Sequence, residues 1–317
     1  MQVASGTTIR PDLAVAVSEY GMELNSQFMA TKVLPVANTI AQSSSFGKLP
    51  IENITDESGN GKRAPSAGYS RQESQVENDN YTCEEYGFEE PVDDGEAKRI
   101  GRYIEAEKSA AMTSEFRLRR AQEVRAAALL FSASNFAGHT GSVTTEWNNS
   151  GNPINDISDT ILTIKKAVGG AFVGEICVAF SEDVRKNIIK NATVQALLGG
   201  GTGAGKNKRV STQNVNDAEL AQLLGVDQIF YSCAQNSGSD VWDDEYALVF
   251  IRNTSQNLKE SVQLGRTFLW IEDCPENAHV ESYREDQTRS NIVRCRQYVD
   301  EKVFNYAAGY LLSNITT

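Results

Sequence analysis

Histidine, cysteine and long apolar runs are all scarce in this chain of 317 residues. The only histidines are His139 and His279, and no HExxH occurs, so a zinc enzyme has little to be built from. The five cysteines, Cys83, Cys177, Cys233, Cys274 and Cys295, make no CxxC pair. An odd, dispersed set fits a reducing compartment and reads as buried thiols in strands. Apolar stretches are short, such as Ala126–Phe131. A membrane span needs about 20 residues, so no membrane partner is expected. No basic start followed by an apolar block is read in residues 1–25, so no secretion signal is expected. Basic excess is missing too: 42 acids against 30 bases leave a formal charge of −12, which excludes nucleic-acid binding by charge alone.

What is present is uneven charge. From Glu52 to Asp94 the segment carries −9 of the −12, with only Lys62, Arg63 and Arg71 as bases. From Lys98 to Arg125 the sign reverses. Such a pair of segments can neutralise each other within one chain or between two copies. The acidic segment reads as a long hairpin. Its first arm, Phe46–Ile54, puts Leu49 and Ile51 on one face. Its second arm carries Tyr81 and Cys83, then Tyr86 and Phe88, with a one-residue phase shift at Glu84–Glu85 that predicts a bulge. An isolated two-stranded ribbon is marginal in water, so this one must lie on the rest of its chain or on a neighbouring copy.

Ala97–Ser132 reads as a long helix with a stripe at Leu118, Ala121, Val124 and Ala128, ringed by Arg117, Arg119, Arg120 and Arg125. Asn155–Val168 is a second helix, with Ile157, Ile161, Ile164 and Val168 at helical spacing and Gly169–Gly170 as its stop. Ile176–Phe180 is a buried strand, after which Ser181 caps a helix. Asn216 and Glu219 open another helix, closed by Gly225. Strands follow at Gln228–Cys233, Tyr246–Arg252 and Thr267–Ile271. Val280–Phe304 is extended, with Val293, Cys295 and Val299 on one face and Arg294, Arg296 and Tyr298 on the other. The pattern predicts an α+β chain around a mixed sheet.

One motif invites an enzymatic reading. Gly200 to Lys206 satisfies GxxxxGK, but Asn207 stands where a phosphate loop needs Ser or Thr, and the residues before it read as a helix rather than a strand. A P-loop-like nucleotide-binding enzyme is therefore a minor alternative. No catalytic residue, cofactor or metal is assigned. Acid pairs such as Asp243–Asp244 sit in polar settings unsuited to catalytic carboxylates.

The order of elements resembles that of the tailed-bacteriophage major capsid proteins, which have the Hong Kong ninety-seven-type fold. The resemblance is carried by Val33-Leu34-Pro35, the long hairpin before a long helix, Ala218 to Ile229 and Tyr306 to Ile315. It implies an N-terminal arm at 1–43 and an extended loop at 44–95. It implies a peripheral domain with a spine helix at 96–151 and 287–317, and an axial domain with a mixed sheet at 152–286. The implied function is a structural shell protein. It would self-assemble through hexamers and pentamers into an icosahedral head enclosing double-stranded DNA contacted non-specifically. Separate scaffolding, portal and cement or decoration proteins are implied partners. The implied location is the virion, assembled in the cytoplasm of a bacterial host. Inter-subunit contacts are expected at Lys62, Arg63, Arg71, Glu84, Glu85, Arg117, Arg119 and Arg120, the acidic loop resting on the basic helix of the next copy. Gly200, Gly203, Gly205, Lys206, Lys208 and Arg209 would form an axial or surface loop. A cellular nanocompartment shell protein of the same fold is the main alternative.

Overall fold

The computed structural model describes the chain except residues 1–6, 49, 52–61, 64, 67, 70–76, 101–102, 149, 171, 173, 199–214, 256–261, 275–277 and 317. The chain opens with β1 (Thr7–Ile9), α1 (Pro11–Gln27), α2 (Ala30–Val33) and β2 (Val36–Thr39). A ribbon of β3 (Ser43–Lys48) and β4 (Glu77–Thr82) follows, then β5 (Glu84–Asp93), α3 (Asp94–Ile100) and α4 (Tyr103–Leu130). Next come β6 (Thr140–Ser142), α5 (Pro153–Ala167), β7 (Glu175–Ser181), α6 (Glu182–Lys190), α7 (Ala192–Leu198), α8 (Asp217–Leu224) and β8 (Gln228–Ser232). The small hairpin β9 (Gln235–Asn236) and β10 (Ser239–Asp240) precedes β11 (Ala247–Arg252), β12 (Gly265–Trp270), β13 (His279–Glu285), β14 (Ser290–Val303) and β15 (Gly309–Ser313).

Two sheets organise these elements. The first runs β1-β13-β14-β12-β2, with β5 also paired to β14. The expected alternation of β14 holds: Val293, Cys295 and Val299 are buried, while Arg294, Arg296 and Tyr298 face the other way. Helix α4 covers the buried face, and the Cys295 thiol donates to the Ala111 carbonyl at 3.4 Å. Leu13 and Val17 of α1 join Ala110, Ala111 and Leu118 of α4 over Val280, Val293 and Cys295.

The second sheet runs β6-β15-β11-β7-β8. Strands β7 and β11 are apolar on both faces because both faces are covered. Ile176, Val178 and Phe180 point into one cluster with the helices α5, α6 and α8; Cys177 and Ala179 point into the other. The helix starts at Ser181 and Asn216 match the sequence reading, whereas α5 begins two residues before Asn155, at Pro153. The Asn152 side chain accepts from Asn155 N, Ser181 accepts from Val184 N, and Asn216 accepts from Ala218 N. Gly225 ends α8 at φ +72°, a conformation that glycine adopts without strain.

Several expectations change. The segment read as an arm is folded onto the body from Thr7 onwards: α1 lies on α4, β1 pairs with β13, and β2 adds to β12 in parallel. Phe28, Met29, Ala30, Val33 and Leu34 are core residues between the sheets. The boundary at 286/287 falls inside the β13–β14 hairpin, so β12 and β13 belong with β14, whereas β15 crosses to the second sheet. Backbone pairing between distant strands decides this, and local sequence does not display it. On α4, Leu118 is buried, but Ala121 and Val124 are half-buried and Ala128 is exposed. The buried row includes Ser114, Glu115, Arg119, Gln122 and Glu123, which an apolar periodicity cannot register. Four of the five cysteines are buried as expected; Cys233 is exposed. No described helix is long and apolar enough to cross a membrane.

Glu123 ties three parts of the chain together. It is 1% exposed. One carboxylate oxygen accepts from Ala30 N at 2.6 Å and the other from Trp242 Nε1 at 2.6 Å. Met29 has no side-chain acceptor to cap α2, so the carboxylate from α4 does this instead. Burial raises the Glu123 pKa, and the two donors oppose that shift. Glu123→Ala strands both donors, and at about 1–3 kcal/mol each should cost about 2–6 kcal/mol in denaturant unfolding of the free subunit. Glu123→Gln, which keeps one acceptor, should cost less. At Gly265 an added Cβ would sit 2.3 Å from Lys302 O and 3.0 Å from a Leu34 methyl. Gly265→Ala should therefore destabilise by about 1–3 kcal/mol or more, seen as a lowered Tm.

Candidate assembly surfaces

The acidic strand β5 lies beside β14 in a register that sets Glu89 opposite Arg294, Glu85 opposite Tyr298 and Gly87 opposite Arg296. Arg294 Nε donates to Glu89 at 2.6 Å, and Tyr298 OH donates to Glu85 at 2.9 Å. Burial and this carboxylate push the Tyr298 pKa up to about 12. Arg296 turns towards Glu281 of β13, with bonds of 2.7 and 2.9 Å, and also pairs with Asp273. Tyr283 OH reaches Glu89 at 3.2 Å, and Arg284 holds Asp94 at 2.6 and 2.7 Å. On the face towards α4, Arg117 pairs with Glu90. Arg125 bonds Glu301 at 2.8 and 3.1 Å and lies 3.7 Å from the Tyr86 ring centroid. Arginines on one central strand thus stand between acids on both neighbours, the arrangement that cross-strand pairing favours.

This geometry bears on each expected contact residue. Glu84 accepts from Tyr86 OH at 2.9 Å, and Glu85 is engaged as above, with Arg296 also 3.9 Å away. Arg117 is partly exposed and held by Glu90 of its own chain. Arg119 is 6% exposed, with Nε 2.7 Å from Glu115, and so offers no outward surface. Arg120 is half-buried, its guanidinium 5.8 Å from the Phe116 ring centroid. Lys62 and Arg63 are exposed, and Arg63 lies 4.9 Å over the exposed Tyr69 ring. Arg71, Gly200, Gly203, Gly205, Lys206, Lys208 and Arg209 lie outside the described residues. The element before residue 199 is the helix α7, as read from sequence, and a phosphate loop needs a strand there. Among the described residues no cluster of three or more His, Cys, Asp or Glu could hold a metal ion.

The ribbon departs from expectation. Its first strand is Ser43–Lys48 rather than Phe46–Ile54, and Leu49 lies outside the described residues. The phase shift is real but sits at Cys83, where the strand leaves β3 and joins β14. Phe88 is 38% exposed. At its base the ribbon rests on its own chain. Phe46 and Tyr81 lie 5.0 and 4.6 Å from the Phe268 ring, and Phe46 lies 5.4 Å from Phe304. Lys302 reaches Asp79 at 2.6 Å and also Asn80 O, while Lys48 Nζ donates to Phe304 O at 3.1 Å. Neither lysine stands out in the sequence, because their partners are more than 200 residues away. Large apolar side chains remain open at Ile40 (75%), Val15 (63%), Leu197 (56%) and Leu162 (50%).

Because Arg119 neutralises Glu115 inside the helix–sheet seam, Arg119→Glu places two buried carboxylates together. It should cost at least the roughly 3–5 kcal/mol of a broken buried pair and leave little soluble folded chain, read by circular dichroism. Arg120→Glu should keep the fold.

No family model matches the sequence, and no curated protein matches it. Solved structures do match. A phage-related protein from Bordetella bronchiseptica superposes with a TM-score of 0.71 at 17% identity, covering 98% of this chain and 99% of that one. A virus-like particle from Pyrococcus furiosus gives 0.54 at 11% identity, over 95% and 98% of the two chains. The capsid of an empty GTA particle gives 0.52 at 14% identity, over 100% and 95%. The likeness runs from the N-terminal segment to β15, and the architecture of this chain is the Hong Kong ninety-seven-type fold of tailed-phage major capsid proteins.

Proposed function

We propose that the chain is a major capsid protein, many copies of which assemble through hexamers and pentamers into an icosahedral shell around double-stranded DNA. The observation that carries this reading is the end-to-end likeness to a phage-related protein. The ribbon supports it: a two-stranded extension whose strands pair only with each other among the described residues has most to gain from a second copy. Head-to-tail contacts of that kind close into rings, and many weak contacts around a closed shell add up to strong retention. The net charge of −12 suits a wall that confines DNA without gripping it.

In this reading the sheet built on β14 and α4 forms the peripheral layer. The β6-β15-β11-β7-β8 sheet forms the axial domain. Lys62 and Arg63 on the ribbon are contact candidates towards a neighbour. The role is structural rather than enzymatic. Scaffolding, portal and cement proteins act as separate partners, and the product is a virion component made in the bacterial cytoplasm.

A second reading, a cellular compartment shell, draws on the likeness to the Pyrococcus furiosus particle. Electron microscopy of the purified protein should show closed shells, and those from its natural source should contain nuclease-protected DNA. Shells filled with a protein cargo and free of DNA would favour the compartment. A chain that stays monomeric at every concentration would overturn both.

A further inference from the structure

We propose that the base of the ribbon is a lysine-latched joint that sets the ribbon's angle before copies meet. This rests on the shell reading for its purpose, though not for its geometry. The β3–β4 pair is a sheet of its own, joined by strand pairing to neither large sheet among the described residues. The chain enters and leaves it at one pivot. There Cys83 N donates to Gln42 O at 2.9 Å and Gln42 Nε2 donates to Cys83 O at 3.2 Å. Beyond the pivot, the contacts to the body are made by side chains. Phe46 and Tyr81 lie on Phe268, and ring packing of this kind tolerates small rotations.

Directional contacts come chiefly from two lysines that reach in opposite senses. Lys48 leaves the ribbon for the Phe304 carbonyl of the body. Lys302 leaves the body for Asp79 and the Asn80 carbonyl of the ribbon. Asp300 adds a third tie, accepting from Thr82 N at 3.0 Å. Beside the joint is an open cleft lined by Lys48, Ile51, Glu77, Phe304 and Tyr306. It leaves room for the ribbon to tilt once Lys48 lets go. The two lysine side chains keep 20% and 27% of their exposure. Either head can return to water on release, so no buried charge would be stranded.

The joint is therefore firm enough to aim the ribbon and cheap to open. An arm already aimed loses less conformational freedom when it docks, which strengthens assembly without any new contact. Lysine also suits the role for another reason. Its ammonium is a compact donor on a flexible stem, able to move between backbone carbonyls.

The test uses the full chain, unassembled, with Cys233→Ser and spin labels at Asn78→Cys on the ribbon and Ser158→Cys on α5. Pulsed electron resonance should give a single narrow distance in the latched protein. Lys48→Met with Lys302→Met keeps the stems and the aromatic packing and should lose that single distance to a broad distribution, with the thermal melt barely moved. Lys302→Arg should retain the narrow distance. The same narrow distance in the double methionine variant would overturn the joint. Should the double variant fail to fold, Lys302→Met alone is measured against the same two outcomes. In particles, the double variant should lose the uniform diameter of the parent, and unchanged diameters would also count against the joint. If the parent forms no particles, the shell reading fails while the distance measurement still judges the joint.

Discussion

Strand β14 must satisfy two unlike environments along fourteen residues, and most of the architecture follows from that requirement. One face has to be dry, because α4 lies on Val293, Cys295 and Val299. The other carries Arg294, Arg296 and Tyr298, whose charges and hydroxyl need partners. Those partners are Glu89 and Glu85 on one side and Glu281 on the other. A one-residue slip would exchange the faces and set arginines against the helix. Register is thus enforced from both sides at once, which is why an acidic, largely exposed strand with little apolar content can still pair with β14 over ten residues.

The long helix has a matching double duty. Its buried row mixes Leu118 and alanines with Glu115, Arg119, Gln122 and Glu123. Leu118 and the alanines contribute burial. The polar residues contribute direction: Arg119 Nε is paired with Glu115, and Glu123 caps α2 while holding Trp242. The N-terminal segment is consequently part of the core between the sheets. Phe28 and Leu34 fill that core, and β2 extends the first sheet from it.

Sequence periodicity reached the elements whose partners are local or uniform. Ile157, Ile161 and Ile164 betray α5 because its inner face is apolar apart from Thr160, and Ser181 betrays α6 because its cap is three residues from its donor. The alternation of β14 was legible for the same reason. The buried charges of α4 were not: Arg119 and Glu123 look like a solvated face until the segments covering them are placed, and Trp242 is 119 residues from Glu123. The opposed charge blocks were also visible, but not their settlement. Glu89 of β5 is paired by Arg294 of β14, some 200 residues later, and Glu90 by Arg117 of the nearby helix. The ribbon was read as one hairpin because its phase shift shows in the sequence, whereas the change of partner from β3 to β14 does not.

That internal settlement of charge constrains how copies of this chain could meet. If Glu85, Glu89, Glu90 and Asp94 are engaged within their own chain, a neighbour approaching β5 finds little free charge to recruit. Docking must then draw on shape, on open apolar side chains such as Ile40 and Leu162, and on the ribbon. Interactions of that kind are short-ranged and individually modest, so a misplaced copy can leave again. Long-range attraction between opposite charges would instead hold wrong arrangements as readily as right ones. A chain that engages the acids around β5 internally gives geometry, rather than charge, the deciding role there in which contacts persist.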